Sequence, residues 1–216
     1  MSHRRIAIPA ALLAALALSS CSTSGGGSAE QGEGDKPLTK SFSQGEITQA
    51  IPAGGDAPAG YQLSDLGKGS PGTADDCSRT EGESPRGWKR GGDTSYYYNG
   101  SSASRMMDLN ICQFDTPENA KNAYQSWAHR PDLTKQGVKE KVGEESTYLV
   151  HNKTGSAYAY TRSGSVNIEV KIEDSGGDGT DSHDMLAATL KRLQQVQAGK
   201  RPTATAADES AKAEDQ

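Results

Sequence analysis

Val166-Asn-Ile-Glu-Val-Lys-Ile-Glu173 alternates apolar and polar side chains without a break. Successive side chains of a strand point to opposite faces, so this run predicts a strand with Val166, Ile168, Val170 and Ile172 on one side and Asn167, Glu169, Lys171 and Glu173 on the other. The polar set is expected to face water. One covered face and one solvated face is the pattern of an antiparallel α+β domain.

The neighbouring segments extend that reading. Thr147 to His151 and Ser156 to Arg162 predict two further strands, with Asn152-Lys-Thr-Gly155 and Ser163-Gly164 as turns, so the three form an antiparallel meander. In Met106 to Phe114, Met107, Leu109 and Ile111 alternate with Asp108, Asn110 and Cys112, again with a period of two. Asp115-Thr-Pro-Glu118 opens a helix with proline in its first turn, Ala120, Ala123, Tyr124 and Trp127 share one face of it, and Pro131 ends it. A closing helix that begins near Asp181 or Ser182 carries Leu186, Leu190, Leu193 and Gln197 on one stripe. Ser43-Gln-Gly-Glu46 is a capping box ahead of Ile47, Ala50 and Ile51, which predicts a short first helix. From Gly67 to Gly92 the chain is rich in Gly, Ser, Pro and charge and reads as a long irregular loop. The expected fold is α+β: an antiparallel sheet of about four to five strands, helices packed on one face, and one disulfide.

Ahead of this domain, Arg4-Arg5 precedes an apolar run from Ile6 to Leu18 that ends in Leu18-Ser-Ser-Cys21. As a helix the run covers roughly 20 Å, short of the roughly 30 Å hydrocarbon core of a bilayer, which suits a leader better than a membrane span. The Leu18–Cys21 stretch resembles the lipobox of bacterial lipoprotein signal peptides. The resemblance implies a signal peptide over residues 1–20, acylation of Cys21 with chains such as palmitate, and a domain held at the outer face of the cell membrane. Residues 21–41, with Ser22 to Ser28 and Ala29 to Asp35 lacking any hydrophobic period, read as the lipidated cysteine and a flexible tether. Residues 42–197 are then the extracytoplasmic domain. Residues 198–216 contain no large apolar side chain and are expected to be a disordered tail. Removing the leader takes Arg4 and Arg5 with it and moves the formal net charge from −5 to −7. Without a basic stripe to displace counterions, nucleic acid is not an expected partner.

Besides Cys21 the only thiols are Cys77 and Cys112. An exported protein lives where disulfides persist, and pairing them would pin the long loop to the Met106–Phe114 strand. Two free thiols or a redox pair are the rival readings, and neither is favoured, because there is no Cys-x-x-Cys spacing and two thiols make only half of a structural zinc site.

The order of parts resembles a broad group of actinobacterial lipoproteins and, more remotely, the extracellular sensor domain of mycobacterial receptor serine/threonine kinases. What carries it is Pro58-Ala-Gly-Tyr61, the cysteine pair joining a loop to the strand ending in Phe114, the alanine-rich helix after that strand, and Arg162-Ser-Gly-Ser-Val166 between the last two strands. The resemblance implies a cell-envelope binding or sensing module without catalysis. This chain departs from the kinase sensors in having one possible disulfide where they have two, and no ligand residue carries across.

The chain's own chemistry agrees. There is no Gly-x-Ser-x-Gly, no His-Glu-x-x-His and no phosphate-cradling glycine loop. His129, His151 and His183 sit at a helix end, a turn and a helix start, places that need no catalytic account. The acidic run Asp174 to Asp184 has Gly176 and Met185 where an EF-hand needs a carboxylate and a glutamate, so it reads as a solvated turn. No enzyme activity, metal or cofactor is expected. The candidate binding residues are Tyr158, Tyr160 and Arg162, on one side of one strand, with Trp88 of the pinned loop. Tyrosine suits contact surfaces because it buries a large area and keeps a polar tip. The same pattern is also met if Tyr158 and Tyr160 are the core side and Ala157 and Ala159 the outer one. The expected partners are the membrane, through the lipid anchor, and an envelope ligand or protein.

Overall fold

A computed structural model describes residues 36–64, 69–80, 82–100, 105–137 and 140–214. The expected signal peptide, Cys21 and the expected tether as far as residue 35 lie outside them. The fold is α+β, and its antiparallel sheet has eight strands rather than four or five. In chain order they are β1 (Tyr61–Leu63), β2 (Ser70–Gly72), β3 (Trp88–Tyr98), β4 (Met106–Phe114), β5 (Thr134–Gln136), β6 (Glu145–His151), β7 (Ser156–Ser163) and β8 (Val166–Ile172). Their order across the sheet is β1-β3-β4-β8-β7-β6-β5, with β2 pairing with β3 beside β1. The expected meander is β6-β7-β8. The expected irregular loop from Gly67 to Gly92 in fact contains β2, a 3-10 turn at Asp75–Cys77 and the start of β3.

Helices α1 (Gln44–Ala50) and α3 (Thr180–Gln197) cover one face of the sheet. Ser43 and Glu46 close the capping box of α1 reciprocally, which satisfies two donors that the helix start would leave open. Beneath α1 and α3 lie Met107, Leu109, Ile111, Ile168, Val170 and Ile172, and α3 adds Met185, Leu186, Leu190 and Leu193. Each such side chain contributes about 1.5–3 kcal/mol when fully buried. Ala159 belongs to this core, where a small side chain lets the helix approach the sheet.

Helix α2 (Pro117–Ala128) lies on the opposite face, which corrects the expectation that all helices share one side. Thr116 caps it and Pro117 occupies its first turn. Its Ala120, Tyr124 and Trp127 pack on Cys112, Phe114, Leu149 and Tyr160. The polar set of β8 therefore does not simply face water. Asn167 is buried and donates to the Ala120 carbonyl at 2.8 Å, and Glu169 is buried in an ion pair. Cys77 and Cys112 form the expected disulfide, which ties the segment before β3 to this second face.

Both ends of the ordered domain run past 42–197. The segment from Lys36 to Phe42 crosses the fold as a strap: Leu38 and Phe42 are buried, the Leu38 amide donates to Ser163 Oγ, and the Thr39 and Lys40 amides donate to Gln197 Oε1. The expected disordered tail is packed as far as it is described, with helix α4 (Ala206–Glu214) lying on α3. Small side chains suffice there, because Ala204 and Ala206 bury fully and the buried Arg192 guanidinium donates to the Ala204 carbonyl, to Ala50 at the end of α1 and to Asp56. Among the described residues no helix is long and apolar enough to cross a membrane.

Candidate functional site

The most distinctive chemistry stands on the face that carries α2. Strand β7 places Tyr158 and Tyr160 two positions apart, hence on one side, with their rings stacked at a centroid distance of 6.3 Å. Tyr160 is fully buried against Trp127, 5.9 Å away, and Tyr158 is half-buried. Burial pushes the Tyr160 phenol well above its ordinary value, the Glu169 carboxylate adds to this, and among the described residues the hydroxyl has no hydrogen-bond partner.

Two guanidinium groups cap these rings. Arg79, two residues beyond Cys77, lies 5.1 Å from the Trp127 ring centre and 5.3 Å from that of Tyr160, and it pairs with Glu169. Asn110 donates to the second Glu169 oxygen at 3.2 Å, so the buried carboxylate is satisfied from both sides. Arg130, just past the end of α2, lies 5.6 Å from the Tyr158 ring centre and grips Asp132 through two hydrogen bonds of 3.0 and 2.7 Å. That bond lowers the Asp132 pKa and raises that of Arg130. Delocalised guanidinium lies well on aromatic faces, which is why arginine rather than lysine suits both places.

Away from α2 the same face becomes polar. Ser95, Asp108, Lys171 and Tyr158 form one cross-strand row, and Asp93, Asn110, Glu169 and Tyr160 the next. Burial, then the Asp76 and Asp108 carboxylates, push the Asp93 pKa up. The face ends in Tyr97 and Met106, the two large hydrophobic side chains exposed among the described residues. The result is a shelf, rigid and aromatic at one end and polar and open at the other.

The structure thus brings Tyr158 and Tyr160 together, places Arg162 elsewhere, and puts Trp88 in the same core cluster but outside the stack of rings and guanidinium groups. Arg162 is buried near the β7–β8 turn, where it pairs with Glu144 and Glu145 and donates to the Gly164 carbonyl. Trp88 packs on the disulfide, its indole nitrogen 3.2 Å from Cys77 Sγ. Sequence reasoning missed Arg79, Arg130, Trp127 and Glu169 as members of the site. A signal existed for Arg79, since any bridge from Cys77 to Cys112 must carry it onto the outer face of β4.

The histidines lie apart from this shelf. His129 caps the end of α2, His151 bonds Thr154, and His183 contacts Asp184 at 3.1 Å. The Asp184 bond raises the His183 pKa against the opposing effect of burial. In the acidic loop Asp178 receives the amide and hydroxyl of Thr180. Among the described residues no group of three or more His, Cys, Asp or Glu side chains is placed to hold a metal ion.

The sequence matches no protein-family model and no curated protein. Among solved structures the chain is similar to the extracellular domain of PknH from Mycobacterium tuberculosis, with a TM-score of 0.51 at 9% identity, over 75% of this chain and 100% of that one. At that identity the likeness is one of fold.

Proposed function

We infer that the chain is an extracytoplasmic lipoprotein anchored through Cys21, and that its folded part is a non-catalytic module that binds or senses a component of the cell envelope. The observation that carries this reading is the shelf. Two arginines stacked on three aromatic rings, one of them on a disulfide-pinned segment, make a pre-organised surface whose outer half offers Tyr158, Lys171, Asp108 and Tyr97 to a ligand. A pre-organised site loses little entropy on binding. The fold shared with a kinase's extracellular domain fits a sensing role, and the leader fits the location.

Two experiments test the two halves of the reading. For the anchor, the wild-type chain should fractionate with membranes after a high-salt wash and carry an acyl mass on its mature N-terminus. Cys21→Ala should be released or remain an unprocessed precursor, and a wild type without an acyl group would refute the anchor. For the site, soluble envelope fragments added to the full chain should raise its melting temperature by about 2 °C or more, as expected for a ligand well above its Kd. Tyr158→Ala and Arg130→Ala, both at half-buried positions, should abolish that rise while keeping the fold. If the rise persists in both variants, the shelf is packing only.

A further inference from the structure

A cavity of about 820 Å³ lies apart from the shelf and shares no residue with it. The strap at Pro37–Ser41, the start of β3, the end of β4 with the first turn of α2, and the β7–β8 turn line it, and it opens to solvent on one side. Its volume falls within the range of sites that take small organic molecules.

The wall at β3 is irregular in a telling way. Trp88 pairs with Phe114 and Arg90 with Gln113, so Lys89 is an extra residue, a β-bulge. Bulges re-aim side chains, and two consecutive residues at this one, Lys89 and Arg90, line the cavity. Neither forms an ion pair or a side-chain hydrogen bond among the described residues, and the Nε of Arg90 is withdrawn from solvent with no partner. The two carboxylates of the lining are already engaged. Asp115 accepts from the Asn119 amide at 2.7 Å, while Glu144 accepts from the Gly164 amide and from Arg162. The charged side-chain donors of the lining that stay unpaired among the described residues are therefore those of Lys89 and Arg90, with Lys89 close enough to Asp115 to add to the Asn119 bond in lowering that carboxyl's pKa.

An arginine fork alone saturates a carboxylate. An arginine and a lysine together match the three or more oxygens of a phosphate, the fork binding two of them and the ammonium acting as a point charge. Pro37 and Pro117, also in the lining and exposed, offer apolar contact to the rest of the molecule. We propose that this cavity binds the phosphate of a phosphorylated organic ligand through Lys89 and Arg90. A lipid headgroup and a free sugar or polyol phosphate share that chemistry.

Titration calorimetry of the full chain with glycerol 3-phosphate tests it. Binding tighter than about 1 mM is expected, weakened roughly ten-fold or more by Lys89→Gln and by Arg90→Gln. Arg130→Gln, on the shelf, should leave it unchanged, which separates this site from the function proposed above. Lys89 is exposed, so its variant keeps the proposal falsifiable even if Arg90→Gln fails to fold. Flotation with vesicles containing roughly 30 mol% phosphatidylglycerol, against phosphatidylcholine alone, distinguishes the sources. Selective binding lost in Lys89→Gln supports a headgroup, and equal flotation with glycerol 3-phosphate binding intact supports a free phosphate. No binding at 1 mM, unchanged affinity in Lys89→Gln, or glycerate binding as tightly as glycerol 3-phosphate would overturn it.

Discussion

The Cys77→Ala/Cys112→Ala double variant is expected to melt about 10 °C below the wild type. The bridged residues lie 35 positions apart, and removing that constraint from the unfolded chain costs about 3.8 kcal/mol on the chain-entropy account. For a domain of this size each kcal/mol moves the melting temperature by roughly 2–4 °C. The folded state suffers as well. Trp127 donates to the Cys77 carbonyl and Trp88 packs on Cys77 Sγ, so the segment that carries Arg79 loses its main fixings to the second face. Calorimetry of the wild type with and without reductant, beside the double variant, measures the effect. A shift under about 2 °C would mean that packing alone holds the segment. Tryptophan fluorescence should change in parallel, because both tryptophans belong to this cluster.

Gly164→Ala is expected to cost about 4–8 kcal/mol if the strap detaches, at least as much as the disulfide. Gly164 turns the chain from β7 to β8 at φ +56°, a conformation that disfavours a side chain by about 1–2 kcal/mol. A Cβ there would also overlap the carbonyl of Leu38, a backbone atom with no rotamer to escape into. The strap must lift, and lifting it exposes Leu38 and Phe42, whose burial contributes about 1.5–3 kcal/mol each. Urea denaturation should show a lower midpoint, and trypsin should cut after Lys40 in the variant under conditions that spare the wild type. Gly55→Ala, where a Cβ meets nothing, is the control and should be nearly neutral. An unchanged midpoint for Gly164→Ala would show that the strap adjusts without detaching.

What could be read in advance followed the length of each signal. Strands β4 and β8 alternate over seven or more residues and β6 and β7 are set off by the turns at Asn152–Gly155 and Ser163-Gly164, so all four were legible, as were the capping box of α1 and the Thr116-Pro117 start of α2. Strands β1, β2 and β5 have three residues each, too few for a period of two to declare itself, and β3 hides its alternation behind Gly91-Gly92. Those glycines have a packing reason: a Cβ on Gly91 would press on the Ile111 carbonyl and one on Gly92 on Ile47. The second face was misjudged because its core borrows from residues that read as polar or reactive, chiefly Cys112, Asn167 and Tyr160. At the shelf, the tyrosine pair was visible, while the arginines that complete it come from segments without any periodicity. The packed strap and tail escaped notice since they are held by single side chains, notably Gln197 and Arg192, rather than by an apolar stripe.

The three short strands also decide how this sheet behaves in a crowd. Among the described residues the edge strands β1, β2 and β5 have three residues each, β5 is exposed throughout with Lys135 at its centre, and β2 carries Pro71, which has no amide to donate. A neighbouring copy would find too few free backbone groups, and a charge and a ring in the way, to extend the array across molecules. Copies packed closely on one surface are thereby kept from fusing edge to edge into aggregates.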